Sequence, residues 1–309
     1  KAEGAVFSIT SATPNISQGT MTTVFQGAYI GYTSTRLQLP ITAAGVLDAA
    51  PTIQLNVSTA TMWATSGILL VNLNLDGNTQ TAAKLAGAAG FLYFCTIQRF
   101  NTASTSALAC WGCTITGNVT NSPLVSGSEL YYCESYANTV TITASIVDHC
   151  IIYDNTGATT DGISLSSSSK VFNSAFVGNG RDGIRRFSAQ GANIVNCIFQ
   201  SNVGIGLNAN SVGATFGLNN VFYNNGTAQS MVAPSGFAIN SITATGDVFT
   251  NTAGSVYSLN NTIGAGALLR ALAKPASFPR GLTANYDDIG PAQHLETGGG
   301  TTNIFPIFD

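Results

Sequence analysis

The chain has 309 residues, of which 45% are hydrophobic and only 8% charged, and its formal net charge is -3. This apolar content with so small a net charge excludes a disordered chain. The 11 Lys and Arg residues are spread thinly, and no apolar run reaches the roughly 18 to 20 residues that span a bilayer. We therefore expect a folded protein with neither nucleic acid nor a membrane as partner, no metal site and no cofactor.

Three regions follow one another along the chain. Residues 1–45 contain few matches to the repeat described next and are expected to form an N-terminal cap or edge region. Residues 46–265 carry the repeat, and residues 266–309 are expected to form a C-terminal cap or tail. No break in composition marks a linker, so the sequence predicts one elongated domain.

The central region is dominated by a short phrase that recurs nine times at intervals of about 22 residues. Most copies have a small or thiol residue first, usually an apolar residue two positions later and, in seven copies, Asn five positions later. The copies begin at Leu73, Cys95, Cys113, Cys133, Cys150, Ser174, Cys197, Asn220 and Asp247. Such a repeat predicts stacked units that bury their apolar faces against their neighbours.

Each copy has the pattern of one short strand followed by a turn. The first and third residues are apolar or small, which is the alternation of a strand with one buried face. The Asn-Gly and Asn-Asn pairs that follow favour turns, because both residue types tolerate positive φ. The cycle is too short for a βαβ unit, and no segment shows a sustained helical period. The sequence therefore predicts an all-β parallel β-solenoid.

Stacked coils predict columns of equivalent side chains, which we call ladders. The thiol ladder comprises Cys95, Cys113, Cys133, Cys150 and Cys197. Apolar residues from Leu75 onward lead into a phenylalanine ladder of Phe176, Phe199, Phe222 and Phe249. The asparagine ladder comprises Asn118, Asn138, Asn155, Asn179, Asn202 and Asn225. Amides bonded to the coils above and below would satisfy turn groups that are otherwise buried without partners.

The cysteines allow two interpretations. Thiols in one register of a repeat are typical of small buried hydrophobes, whereas a disulfide framework is typical of short secreted chains with small cores. The length of this chain favours the thiol ladder. Cys110 and Cys113 also form a C-x-x-C pair, but no second pair is present to complete a zinc site.

These ladders resemble the right-handed parallel β-helix of the pectate-lyase-like superfamily, over about residues 50 to 265. Near the C-terminus, the segment from Asp288 to Gln293 is similar to a D-I-G-A-x-Q ending of phage-encoded and secreted β-helix proteins, with Pro291 interrupting it. The resemblance implies a fold more than an activity. The catalytic motifs of the polygalacturonase branch are incomplete here, and the acidic cluster and arginine of pectate lyases map only loosely onto Asp161, Asp182 and Arg185.

A local concentration of charge is the candidate site. Asp161 and Asp182 precede equivalent strands in successive coils, and Arg181 and Arg185 lie beside them. Paired carboxylates can share a proton or bind a cation, as in glycoside cleavage, and an arginine could act on a uronic acid. The alternative is that Asp-Gly segments form ordinary turns and the charges form a solvated face. Aromatic residues such as Trp111 and Tyr131 likewise suggest sugar platforms or a finished sheet surface.

Three classes of function fit the sequence. The first is a structural or adhesive virion-surface protein, such as a phage head-decoration or tail-spike component, favoured by sparse charge and unpaired thiols. The second is a lyase or hydrolase acting on an acidic polysaccharide, and the third is a bacterial surface adhesin or filament subunit. For the first class we expect a location on the virion surface or otherwise outside the cell, a homotrimer or larger lattice, and a glycan as a further partner. The apolar segment from Ile304 to Phe308 favours such assembly.

Overall fold

The structure is a computed structural model, and the description that follows covers residues 6–9, 27–30, 52–55, 61–63, 67–80, 84–86, 89–102, 104, 106–119, 122–125, 127–186, 191–209, 214–231, 236–252, 256–269 and 288–291. Within these residues nearly all regular structure is β, and the only helical segment is a short 3₁₀ helix, Gly266–Leu269.

Two large parallel sheets form the body of the described chain. Sheet A has eleven strands in the order β1 (Val6–Ile9), β3 (Thr52–Leu55), β6 (Asn74–Asp76), β9 (Thr96–Gln98), β11 (Thr114–Thr116), β13 (Glu134–Tyr136), β15 (Ile151–Tyr153), β17 (Ala175–Val177), β20 (Ile198–Gln200), β23 (Val221–Tyr223) and β26 (Ile242–Thr243). The chain visits sheet B between successive strands of sheet A, so each coil contributes to both sheets.

Sheet B has thirteen strands among the described residues and divides partway along its length. Its main path is β2 (Gly27–Ile30), β5 (Ile68–Val71), β8 (Gly90–Tyr93), β10 (Leu108–Trp111), β12 (Glu129–Tyr131), β14 (Ile142–Asp148), β16 (Ile163–Phe172), β18 (Ile184–Arg186), β21 (Ile205–Ala209) and β24 (Thr227–Met231). The second half of β16 begins a side branch with β19 (Ala192–Val195), β22 (Thr215–Leu218) and β25 (Gly236–Ile239). Coils from β16 onward therefore have three faces.

Strand register confirms the predicted stacking of equivalent side chains. In sheet A each third-position residue pairs with its counterpart in the next coil, along the column Ile53, Leu75, Ile97, Ile115, Ser135, Ile152, Phe176, Phe199, Phe222 and Thr243. The pairing is parallel at every step. The chain is therefore a parallel β-solenoid, as its sequence predicts.

The asparagine ladder is continuous through all six predicted residues. Each Asn donates its side-chain N–H to the side-chain oxygen of the next, for example Asn155 to Asn179 at 2.9 Å and Asn179 to Asn202 at 2.9 Å. Stacked residues lie between 17 and 24 positions apart, around the predicted repeat length. The same amides bond to backbone groups of adjacent coils, so that Asn202 reaches the carbonyl of Phe176 at 3.0 Å. The ladder thus satisfies the buried turn backbone.

Among the described residues, a left-handed residue forms each corner at which the chain passes from sheet B to sheet A. The residues there with positive φ are Asn72, Phe94, Gly112, Tyr132, His149, Asn173, Asn196, Asn219 and Asn240. Five of these nine are Asn, and one is Gly, because these residue types adopt positive φ most readily. The residue that follows is buried at every one of these corners except Asn240, and this places the predicted thiols in the core.

The thiol ladder is also present in the interior. The backbone N–H of Cys113 donates to the sulfur of Cys133 at 3.4 Å, and that of Cys133 donates to Cys150 at 3.4 Å. In later coils the oxygens of Ser174 and Asn220 accept the equivalent bonds. All six cysteines are free and buried. The thiols therefore behave as small core residues, and the disulfide interpretation does not fit.

The prediction that Phe249 continues the phenylalanine ladder is wrong. Phe176, Phe199 and Phe222 stack at 5.2 Å between ring centroids, but Thr243 occupies the next position. Phe249 lies in β27 (Phe249–Asn251), which pairs antiparallel with β28 (Val256–Leu259). The segment that begins at Asp247 has the spacing of the repeat, but the sheet A strand of this coil is β26, which precedes it in the chain.

Residues 247–252, 256–269 and 288–291 pack beside sheet A and not above its last coil. They form a second apolar cluster with outward residues of sheet A, in which Ile289 is fully buried and Gly290 lies against Ile198. Asp247 accepts a hydrogen bond from Gln200 at 2.7 Å, and Gly290 donates its backbone N–H to the carbonyl of Asn196 at 3.0 Å. We call residues 247–252, 256–269 and 288–291 the lateral segment.

Two short strands lie in the region predicted as the N-terminal cap. Strand β1 pairs in parallel with β3, and β2 pairs in parallel with β5. Both sheets therefore begin before residue 46. A smaller parallel pair, β4 (Thr61–Trp63) with β7 (Lys84–Ala86), adds a third face to the early coils.

Candidate functional site

Asp161 and Arg181 form a bidentate ion pair across adjacent coils. Arg181 donates from Nε and Nη2 to the two carboxylate oxygens of Asp161, at 2.6 and 2.5 Å. The Asp161 side chain is fully buried, whereas that of Arg181 is 30% exposed. The hydrogen bond to Asp161 raises the pKa of Arg181. Both oxygens of this buried carboxylate are thus engaged by Arg181, which leaves it poorly placed to contact a substrate.

Asp182 lies one coil after Asp161, as predicted, but its carboxylate has different partners. Its backbone N–H donates to Asp161 at 3.3 Å, which links the two residues through the main chain. Its own side chain accepts hydrogen bonds from the backbone of Ile205 at 2.8 Å and the amide of Asn208 at 2.7 Å. The two carboxylates therefore stand in successive coils, each with its own donors.

Arg185 and Arg186 face opposite sides of strand β18. Arg185 is half-buried and lies in register between Ser164 and Asn208 on the outer surface. Arg186 is buried and donates to the hydroxyl of Thr215 at 2.6 Å. Burial lowers the pKa of Arg186. The structure thus brings Asp161, Arg181 and Asp182 together and places Arg185 on the neighbouring sheet surface.

A second bidentate pair shows that such contacts recur along the rod. Arg99 donates to both carboxylate oxygens of Asp76, which is almost completely buried. The hydrogen bond to Asp76 raises the pKa of Arg99. The sequence offers little signal for this pair, because Asp76 and Arg99 are isolated charges 23 residues apart. In both ion pairs the aspartate and the arginine are separated by about one coil of sequence, and this spacing is the signal that could identify them.

His149 lies at a corner and pairs with its neighbour Asp148. The ring Nδ1 is 2.8 Å from Asp148 Oδ1, and the ring stacks on Tyr132 at 5.0 Å. The adjacent Cys150 faces the core, where burial raises its pKa well above the ordinary value. The imidazole and the thiol therefore lie in different environments, and the thiol is suited to packing rather than nucleophilic attack.

The outer aromatic residues stack on one another along the rod. Trp111 lies 4.5 Å from Tyr131 and 6.5 Å from Tyr93, with nearly parallel rings in both contacts. Tyr136 and Tyr153 stack in the same way on sheet A at 5.0 Å. Ring faces covered by neighbouring rings cannot also stack on a sugar, so these residues finish the sheet surface. The side chain of Trp63 lies outside the described residues.

The described residues contain no group of three or more His, Cys, Asp or Glu side chains that could hold a metal ion. Within the same residues, no helix has the length and apolar character needed to cross a membrane.

The described fold defines an all-β parallel solenoid whose candidate acidic groups are held by contacts between coils. The chain matches no family model and no curated protein. Among solved structures it is similar to the crystal structure of pectate lyase Pel9A, with 12% sequence identity and a TM-score of 0.48 over 94% of this chain and 86% of that chain. This likeness is too distant to bear on activity, and the fold follows from the register of the chain's own strands.

Proposed function

We propose that this chain is a non-catalytic, structural or adhesive β-solenoid that serves as a rigid rod at a virion surface or elsewhere outside the cell. The observation that supports this proposal is that both candidate carboxylates are engaged in contacts between coils. Asp161 is fully buried against Arg181, and Asp182 accepts hydrogen bonds from Ile205 and Asn208. Acid–base chemistry needs a carboxyl group that can exchange a proton with a substrate, and these groups instead join coils.

The virion-surface role rests on properties of the whole chain. Charge is sparse, the six cysteines are free, and small residues are abundant. Free thiols favour folding in a reducing compartment, which is compatible with assembly inside a cell before release. A bacterial surface adhesin or filament subunit shares the same rod and differs in its route of export.

Assembly into a homotrimer or a larger lattice is part of the proposal. The outer face of sheet B carries an apolar patch of Leu69, Val71, Phe91 and Tyr93, in which Phe91 is 40% exposed. Contiguous apolar surface of this kind is characteristic of interaction sites. Light scattering or analytical ultracentrifugation would test it, with a mass of three chains or more as the expected result and a stable monomer as the contrary one.

A lyase or hydrolase acting on an acidic polysaccharide is the second candidate. It is favoured by the proximity of Asp161, Arg181 and Asp182 in adjacent coils, with Arg185 on the neighbouring surface.

Incubation with a panel of acidic and neutral polysaccharides distinguishes the two candidates. The non-catalytic proposal predicts no release of reducing or unsaturated ends above the level of a heat-denatured control. Release that disappears in a folded Asp182→Ala variant would establish the enzyme instead. Circular dichroism of the variant shows that the loss is not simply unfolding.

A further inference from the structure

A groove on the side branch of sheet B has the features of a ligand site, and no residue discussed above as a candidate catalytic group lines it. Its volume is about 320 Å³, near the lower end of the range for small-ligand pockets. Its walls come from three consecutive strands, β16, β19 and β22. It is therefore built on regular structure, which holds the lining side chains at fixed spacings.

The outward side chains of the groove form one row along the rod. Lys170 is in register with Asn193, and Asn193 is in register with Phe216. Lys170 and Asn193 are exposed, and Phe216 is half-buried. Successive strands lie about 4.8 Å apart, a step close to the length of one sugar residue. A cation, an amide and an aromatic ring are thus presented in order at that spacing.

The charge of the groove is positive. Lys170 belongs to none of the three ion pairs among the described residues. A second positive charge lies behind the groove, because the buried Arg186 donates to the hydroxyl of the lining residue Thr215 at 2.6 Å. No acidic residue lines the groove. An anionic ligand is therefore favoured over a neutral or cationic one.

We infer that this groove binds a carboxylate-bearing saccharide, with its chain along the rod axis. Lys170 pairs with the carboxylate, Asn193 bonds to ring hydroxyls through its donor and acceptor atoms, and the ring of Phe216 packs on an apolar sugar face. A uronic acid and a sialic acid share this chemistry. The inference names the ligand of the proposed adhesive role. It rests on the proposed function only in the expectation that the bound saccharide is not cleaved.

Isothermal titration of the full chain with defined probes tests the site. The probes are trigalacturonic acid, sialyllactose and neutral maltotriose. We expect at least one acidic probe to bind, with an affinity that falls as salt is added, and maltotriose not to bind. The two acidic probes distinguish uronic from sialic acid as the source of the carboxylate. Absence of binding by both would overturn the inference.

Variants connect the binding to the proposed residues. Lys170→Gln is expected to weaken binding by about tenfold, as for loss of one charge-assisted hydrogen bond, whereas Lys170→Arg retains it. Phe216→Ala is expected to weaken binding, whereas Ile263→Ala, the loss of an exposed apolar side chain that does not line the groove, leaves it unchanged. Unaltered affinity in both Lys170→Gln and Phe216→Ala would place the ligand elsewhere and refute the site.

Chromatography of the probe after titration separates this inference from the proposed function. Binding with an intact probe supports both. Binding with cleavage supports the groove and overturns the non-catalytic role. Absence of binding and of cleavage overturns the groove and leaves the structural role standing.

Discussion

Individual asparagine residues show how much of this fold depends on single side chains. Asn155 is fully buried, and its amide donates to Asn179 while its oxygen accepts from both the backbone and the side chain of Asn138. A buried donor left without an acceptor costs far more than an average hydrogen bond contributes. Each rung of the ladder therefore has a stabilising role that its size alone does not indicate.

Asn155→Ala is expected to destabilise the protein by about 3 kcal/mol, because it leaves the buried backbone N–H of Asn138 without its acceptor and the buried side-chain oxygen of Asn179 without its donor. Asn225→Ala is the matched control at the last rung, which is half-buried, so water can replace part of what is lost. Urea denaturation monitored by circular dichroism measures both. Equal destabilisation of the two variants would contradict the argument from burial.

Glu134 provides a prediction about pH. Burial raises the pKa of Glu134 above its ordinary value of 4.5, so the folded state holds a proton that the unfolded chain releases more readily. Stability from this group is full below the unfolded pKa and is lost as pH rises through the folded pKa. Glu134→Gln should therefore raise the thermal midpoint at pH 7 and change it little at pH 4. A lower midpoint at pH 7 would show that the carboxylate is stabilising instead.

At the scale of elements, the close contact between coils explains the recurring Asp-Gly pattern. A Cβ placed on Gly183 would lie 2.6 Å from the carbonyl oxygen of Gly206 and 3.1 Å from the side-chain nitrogen of Asn202. Gly162 and Gly206 have equivalent contacts in neighbouring coils. Glycine is required there because the backbone beside the asparagine ladder approaches the next coil too closely for any side chain.

Gly183→Ala is expected to destabilise the protein by about 2 kcal/mol, as for insertion of a methyl group into a packed site. Gly246→Ala is the control, since its nearest contact would be 3.8 Å, an ordinary van der Waals distance. Thermal denaturation of both variants compares them. A Gly183→Ala variant as stable as Gly246→Ala would mean that the coils separate at little cost.

The elements also show what the sequence could and could not predict. The ladders were predictable because each position repeats along the chain with an obvious residue type, and Asn118 to Asn225 stack as expected. Phe249 fits the sequence repeat but lies outside the phenylalanine ladder. Spacing alone does not reveal that Thr243 of β26 pairs with Phe222 instead. The ion pair between Asp161 and Arg181 could not be identified from the sequence, because neighbouring charges suggest a catalytic site as readily as a contact between coils.

At the scale of the molecule, the described part of the rod has a continuous interior, and its strands pack mainly against those of adjacent coils. The lateral segment is the main exception, and its packing was not predictable, because Ile289 and Ile198 join one apolar cluster without any periodic signal in the sequence. The interior is dry enough that burial raises the pKa of Cys133 well above its ordinary value. The thiols therefore report on the integrity of the whole stack.

Ellman's reagent is expected to modify no cysteine in the native protein and all six in concentrated guanidinium without reductant, since the six thiols are free and buried. Rapid labelling of native protein would indicate that coils open readily. Fewer than six labelled thiols after denaturation would indicate disulfides and contradict the ladder.

The lateral segment has a consequence for how the rod comes apart. In a stack that is joined mainly between neighbours, fraying normally starts at an end and proceeds one winding at a time. Here, Asp247 and Gly290 of the lateral segment form hydrogen bonds to Gln200 and Asn196, several coils from the N-terminal end. The last coils cannot unfold past that point until the lateral segment detaches. Proteolytic removal of the lateral segment would therefore lower the barrier to unfolding from the C-terminal side.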